Sequence, residues 1–367
     1  MKTLIIANNT IVFGKELQNE LLQKNYEVSL LDFETLMLSA NGKEDDSFQK
    51  AFAPYKKISK LHMFFRIYFI QKILKQYHFD CVNIHYSRWI YLLILPTLKQ
   101  MSYIITFYGS DFYRSTPFIK RLQTPLYQNA KALTFTNPLT KEAFVNHYHD
   151  FDTKSHVCRF GLKTLDYIDK NRSRSKVEIK NHLGYATDKI TVTCGYNSTS
   201  GQQHFKMITA LESLEPTILE QLQFIFPLTY GNASHKERVK QRLQKSRLNY
   251  LTLEEFLYTD DNAAIKLASD IMINVLETDS FSGSMQEFLY ADNLVITGSW
   301  LPYELFDREG ICYLKIDQID DLPKTLTDAI TQYHTKRAQL QTNREIIYKL
   351  SSWTNNITSW SDTYENC

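Results

Sequence analysis

The 367 residues carry 42 Lys and Arg against 40 Asp and Glu, and this near balance excludes the strong basic excess of a nucleic-acid binder. Apolar residues make up 43% of the chain, enough to fill two cores rather than one. Gly and Pro are scarce, at 11 and 9 residues, which excludes collagen-like and low-complexity chains.

The chain opens with "MKTLIIANNT", one Lys and a short apolar run. Asn8, Asn9 and Thr10 interrupt that run too early for a secretory signal, so it reads as a first buried strand. "GKELQNELLQKN" follows as a helix and "YEVSLLDF" as a strand. Further on, "FDCVNIHY", "YIITFYG" and "ALTFTN" are buried strands, each trailed by helix-like sequence. Between them "WIYLLILPTL" is the most apolar run; Pro96 breaks it, and it is far short of the roughly 20 apolar residues of a membrane span. This alternation predicts a parallel sheet covered on both faces over residues 1–170.

From Asp169 the composition turns polar and basic, and residues 171–188 read as a linker. The pattern then restarts over 189–340 with the strands "ITVTCGYN", "LQFIFPLTYG", "NYLTLEEF", "IMINVLE", "NLVITG" and "ICYLKI" and helices between them. Residues 341–367 carry Trp353 and Trp360, seven apart, and suit a helix docking back across the domains. The expected architecture is α/β: two Rossmann-like domains facing across a cleft, with ligands at the carboxyl ends of the strands. The five cysteines are widely spaced and form no CxxC pair, so neither a zinc site nor a disulfide is expected, and the compartment reads as cytoplasmic.

The stretch from Lys56 to His78 has six Lys and Arg, including Lys60, and no acid. Read as one helix, Met63, Ile67, Ile70, Leu74 and Tyr77 form a stripe that packs on the sheet. Leu61, Phe64, Phe65 and Tyr68 form a second apolar face shared with Lys72 and Lys75. Such a face suits the inner surface of a membrane, with aromatics at the acyl boundary and lysines on anionic head groups. Packing against a neighbouring helix, the lysine stems lying along it, is the other reading.

The densest chemistry lies in "ETDSFSGSMQEFLYADNLVITG", Glu277 to Gly298. Ser282, Gly283, Ser284 and Met285 stand where a strand gives way to a helix, and a helix start offers unpaired N–H groups to a phosphate or diphosphate. Glu287, about one turn in, can accept hydrogen bonds from vicinal hydroxyls, and Asp279 can meet a second hydroxylated group. A nucleotide-sugar fits between the two acids. The plainer reading is that Ser282 caps the helix and Glu287 supports its first turn.

Asp279, seven residues and Glu287 resemble the E-x7-E motif of retaining GT-B glycosyltransferases, family 4 in particular. "YIITFYGSDFYR" resembles that family's loop after a first-domain strand, and "SSWTNNITSWSDTY" its closing helix. The resemblance implies a nucleotide-diphosphate sugar as donor, a glycan or polyprenyl-linked acceptor in bacterial cell-surface polysaccharide synthesis, and no metal or other cofactor. It places Tyr108, Gly109 and Ser110 on the acceptor side. The sequence departs from the family in having Asp at the first motif acid, Tyr108 where His is common, and no Arg-Lys pair after the first strand of the second domain. In that place "CGYNSTSGQQHFK", with "FPLTYGN" further on, resembles the 4-acetamido-fucosamine transferases acting on lipid-linked sugars. That likeness makes Asn197, Ser198, Gln202, His204, Lys206 and Tyr230 candidate donor contacts.

In the resembled retaining enzymes the leaving phosphate can take the acceptor's proton, with Asp279 steadying the cation-like sugar. In an inverting enzyme Asp111 is the candidate base, unless it is only a turn residue. Two other readings remain: an epimerase or hydrolase on the same fold, and a non-catalytic partner subunit, which the missing Arg-Lys pair favours. Asp150 and Asp152 form a D-x-D pair, but in a polar loop context. No GxGxxG follows the first strand, which argues against a nicotinamide dehydrogenase.

Overall fold

The computed structural model describes residues 1–8, 13–40, 43–58, 61–255, 257, 259–279 and 281–367, with 332–334 and 337 described as helix backbone only. The chain folds into two compact units, 1–161 with 353–367, and 162–352.

The first unit holds an eight-stranded sheet of order β4-β3-β2-β1-β5-β6-β7-β8. Its strands are β1 (Lys2–Ala7), β2 (Glu27–Asp32), β3 (Leu38–Ala40), β4 (Lys43–Asp45), β5 (Cys81–His85), β6 (Ser102–Phe107), β7 (Ala132–Phe135) and β8 (Ser155–Val157). From β2 to β8 the neighbours run parallel, as the continuous apolar strands predict; β3 and β4 add an antiparallel edge. The chain builds outward from β1 to β2, then crosses to β5, so order reverses between β1 and β5.

The final helix, Trp353–Glu365, belongs to this unit. Trp360 is fully buried, stacks on Phe160 at 5.1 Å and donates its indole N–H to the Arg159 carbonyl at 2.9 Å. Beyond it, a disulfide joins Cys367 to Cys81 at the start of β5. This corrects the expectation that no cysteine pairs: the partners are 286 residues apart, and only the docked helix brings them together. Cys158, Cys194 and Cys312 are free.

The second unit holds β9 (Ile190–Cys194), β10 (Leu222–Pro227), β11 (Tyr250–Leu253), β12 (Ile271–Asn274), β13 (Leu294–Gly298) and β14 (Leu314–Ile316), all parallel, in the order β11-β10-β9-β12-β13-β14. This is the Rossmann strand order, with its switch point between β9 and β12, where such sheets bind ligands.

The divide falls at 161 and 162, not at 170, and residues 171–188 are not a bare connector. They hold the whole of the helix Lys176–Leu183, opened by a capping box: Ser175 Oγ accepts from the Glu178 amide at 3.2 Å, and Glu178 accepts from the Ser175 amide at 2.8 Å. Lys176 and Lys180 then reach Asp270 at 2.7 and 3.3 Å, which ties the helix into the second unit. The helix Leu322–Ser351 carries that unit past the expected boundary at 340. Among the described residues no helix is long and apolar enough to cross a membrane.

Candidate functional site

In the second unit the chain leaves β9 through Gly195, whose φ of +70° is a left-handed conformation suited to glycine. A Cβ there would meet Gln202 Oε1 at 2.6 Å and approach His204 Nε2 at 3.7 Å, so glycine leaves this space to two side chains. Gln202 is wholly buried, and apart from the Tyr196 phenol beside it its amide meets no polar partner among the described residues. His204, also wholly buried, shares a 3.2 Å hydrogen bond between its Nδ1 and His235 Nε2, while its own Nε2 has no partner among the described residues. Burial pushes the His204 imidazole down to about 3, so it is neutral.

Three links bind this loop to the one after β12. The Gly195 amide donates to the Ile273 carbonyl, the Glu277 amide to the Gly201 carbonyl, and Gln203 Nε2 to the Val275 carbonyl at 2.7 Å. Gln202 and His204 thus stand beside the stretch that carries Asp279 and Glu287.

The other candidates of the β9 loop have different roles. Asn197 closes an Asx turn, accepting from the Thr199 amide at 2.9 Å. Ser198 donates through both its amide and its hydroxyl to the Tyr230 carbonyl, so Ser198 and Tyr230 fasten two loops through backbone. Lys206 is exposed and donates to Gln203 Oε1 at 2.9 Å. Two positions beyond His204, it lies on the opposite side of the helix from that buried ring.

After β12, Tyr303 Oη donates to Asp279 Oδ2 and receives a hydrogen bond from Asn274 Nδ2 at 3.0 Å. Asn274 ends β12, and its Oδ1 is buried with no partner among the described residues. Phe281 then takes a left-handed φ of 78°, a strained conformation for an aromatic residue, with its ring on Phe306 at 4.7 Å. The helix Gly283–Tyr290 begins here. Ser282 is its cap, accepting from the Met285 amide at 3.2 Å, and the Ser284 hydroxyl is buried with no partner among the described residues.

Glu287 faces inward. Its Oε2 is 3.2 Å from Lys266 Nζ and 3.4 Å from Asn262 Nδ2, and Lys266 also donates to Asn262 Oδ1. Burial lowers the Lys266 pKa, and the Glu287 charge opposes that shift. Glu287 is therefore half of a buried ion pair, and its Oε1 accepts no hydrogen bond from the described residues. Lys266, Asn274, Tyr196 and Tyr303 were not singled out from sequence. Lys266 sits in "NAAIKLASD", where a lone Lys among small apolar residues is the one visible signal.

In the first unit Asp111 is buried and saturated by backbone. Its Oδ2 accepts from the Ser87 amide at 2.9 Å, and its Oδ1 from the Tyr108 and Gly109 amides at 3.1 and 3.0 Å. Burial pushes its carboxyl up to about 6, against the pull of those amides. It holds the turn in which Gly109 takes a φ of +98°. Tyr108 Oη lies 3.0 Å from Nδ1 of His85, which ends β5 at the reversal of strand order. The His85 Nε2 is buried with no partner among the described residues, and burial pushes the imidazole down to about 3. Ser110 Oγ is 3.4 Å from the Tyr86 hydroxyl. Asp152 pairs with Lys141 at 3.4 Å.

Residues 2–137 match the family model described as "Glycosyl transferase 4-like". Over the whole chain the structure is similar to sucrose-phosphate synthase from Thermosynechococcus elongatus, at 12% identity and a TM-score of 0.75, covering 100% of this chain and 98% of that one. A glycosyltransferase from Rickettsia africae gives 14% identity and the same TM-score and coverage. Anabaena Alr3699/HepE, solved in complex with UDP and glucose, gives 11% identity and a TM-score of 0.70, with 100% of both chains covered. The fold is GT-B. No curated protein matches the sequence. The loops after β9 and β12 flank the switch point, the place where doubly wound sheets of this kind generally bind ligands.

Proposed function

We propose that this chain is a metal-independent hexosyltransferase that moves a sugar from a nucleotide-diphosphate donor to a lipid-linked glycan acceptor in building a bacterial cell-surface polysaccharide. The observation that carries the reading is the β12–helix connection. A capped helix start, a buried carboxylate held by Lys266 and an acid held by Tyr303 stand together at a Rossmann switch point. The helix start receives the diphosphate, where fixed N–H groups stabilise the charge that develops as the sugar leaves. Glu287 Oε1 accepts from ribose hydroxyls, and Lys266 holds the other carboxylate oxygen in its buried place. Asp279 faces the sugar, whose cation-like character it steadies. Neutral His204 and Gln202 add uncharged donors to the phosphates in place of an Arg-Lys pair.

Asp111 is occupied by three amides, which favours the course in which the leaving phosphate takes the acceptor's proton. The sugar would then keep its anomeric configuration. UDP and UDP-glucose, each bound in a crystal structure of the Anabaena protein, are the first probes. Folded protein that binds UDP melts at a higher temperature by mass action. A selective shift with UDP or another nucleoside diphosphate, without metal, is the expected result, and loss of that shift in Glu287→Gln locates the site.

One observation favours a second reading, a non-catalytic partner subunit. In the β9 loop the buried His204 is neutral and Lys206 turns away, so the loop brings no cation to the diphosphate. Absence of any nucleotide shift, or binding with no turnover of donor against a panel of lipid-linked sugars, would decide for it.

A further inference from the structure

Large apolar side chains left in solvent are concentrated in one part of the first unit. Leu61, Phe64 and Tyr68 of the helix His62–Gln76 and its approach, Trp89 and Leu93 of the neighbouring 3-10 segment Trp89–Ile94, and Phe118 of the helix Pro117–Asn129 are 40–72% exposed. The 3-10 segment packs between the two helices, and the Phe64 and Trp89 rings meet at 6.4 Å. This face differs from the one read off the sequence. Phe65 turns inward onto Tyr55 at 4.4 Å and packs on the core, while Trp89, Leu93 and Phe118 join from other elements. Lys60 lies outside the described residues.

The charge around this face is one-sided. Residues 47–141 hold 14 Lys and Arg and only two acids, Asp80 and Asp111, in a chain whose net charge is +2. Asp111 is buried, so it lends the surface no negative charge. Lys56, Lys57, Lys72, Lys75, Arg114 and Arg121 are exposed, and the Lys72 ammonium stands 4.9 Å over the Tyr68 ring.

We infer that this face docks on an anionic lipid bilayer, with Phe64, Trp89, Leu93 and Phe118 entering the head-group boundary and Lys72 and Lys75 meeting phosphate. Aromatics flanked by lysines and without acids are what such a surface selects. A second copy of the chain is a poor occupant, because a two-fold interface would set this basic face against itself. The inference gives the acceptor side of the proposed function a surface. Its test reads lipid binding alone, so either reading can fail without the other.

The test is flotation of the full chain with vesicles of phosphatidylcholine, alone or with roughly a third phosphatidylglycerol. The chain is expected to float with the anionic vesicles only, and less so in high salt. Lys72→Gln with Lys75→Gln lowers the partition roughly 30-fold, from about 1 kcal/mol per charge. Phe64→Ser with Trp89→Ser lowers it at least about tenfold with the lysines intact. Both double variants replace exposed side chains, so their melting temperatures and nucleotide shifts stay at the wild-type values. Failure to bind anionic vesicles at low salt overturns the inference, as does equal binding by both variants. A concentration-dependent dimer that Phe64→Ser dissolves would assign the face to a second copy instead.

Discussion

Asp111 and Asp279 each follow a central parallel strand, one in each unit, yet they are held in opposite ways. Asp111 has both oxygens taken by three backbone amides, all from the loops that it shapes. Asp279 is held by a side chain, the Tyr303 phenol, which Asn274 holds in turn. A carboxylate saturated by backbone organises a turn and has little left to offer a substrate. One oriented by side chains stands beside polar atoms of Asn274, Ser284, Gln202 and His204 that have no partner among the described residues, and keeps more to offer a polar ligand.

The largest effect that sharpens this contrast lies behind the second loop. Lys266→Ala leaves Glu287 buried without its cation, and is expected to destabilise the protein by about 3–5 kcal/mol. Urea unfolding measures it. Replacing both partners by Met removes the two charges together, and should recover most of that stability while nucleotide binding stays lost. A double variant that binds nucleotide as well as wild type would show that the pair is structural only.

Asp111 gives a smaller effect with a definite sign. Its carboxyl is at about 6 in the folded protein, against about 3.9 when unfolded. Between those values the folded state holds the proton and the unfolded state has lost it, so stability falls as pH rises through the window. The difference of about two pH units corresponds to about 3 kcal/mol, fully present as destabilisation above pH 6 and relieved below pH 4. Asp111→Asn removes the titration. The stability difference between wild type and variant should therefore drift in the variant's favour by that amount from pH 4 to pH 7, with nucleotide binding unchanged. A pH-independent difference would mean that the carboxyl is not held as the structure shows.

The sequence made the strands legible because buried parallel strands are continuous apolar runs, as in "IMINVLE" and "NLVITG". The helix start at Ser282 was legible through its capping residue. What escaped was long-range pairing between separately patterned segments. Tyr303 reaches Asp279 from 24 residues away, and Cys81 meets Cys367 from 286. Lys266 and Glu287 lie on different helices, and no periodicity links them. The capping box at Ser175 and Glu178 was visible, but the basic run around it made the segment look like a connector. Phe64 and Phe65 show the limit of helical patterning, since adjacent residues on a helix are about 100° apart and only one keeps the outer face.

The finest test of the contrast is Tyr303→Phe. It removes one hydroxyl, and with it the hydrogen bonds to Asp279 and from Asn274, while the ring keeps its stack on Phe306 at 5.3 Å. The stability cost should be about 1–2 kcal/mol, because Asn274 Nδ2 loses a buried acceptor. If Asp279 steadies the sugar as it leaves, releasing its carboxylate lowers kcat by about tenfold and leaves KM for the donor nearly unchanged, since the loss falls on the transition state. If Asp279 only closes the turn before Ser282, the melting temperature drops and kcat does not. The same hydroxyl thus separates an acid that faces chemistry from one that only closes its turn.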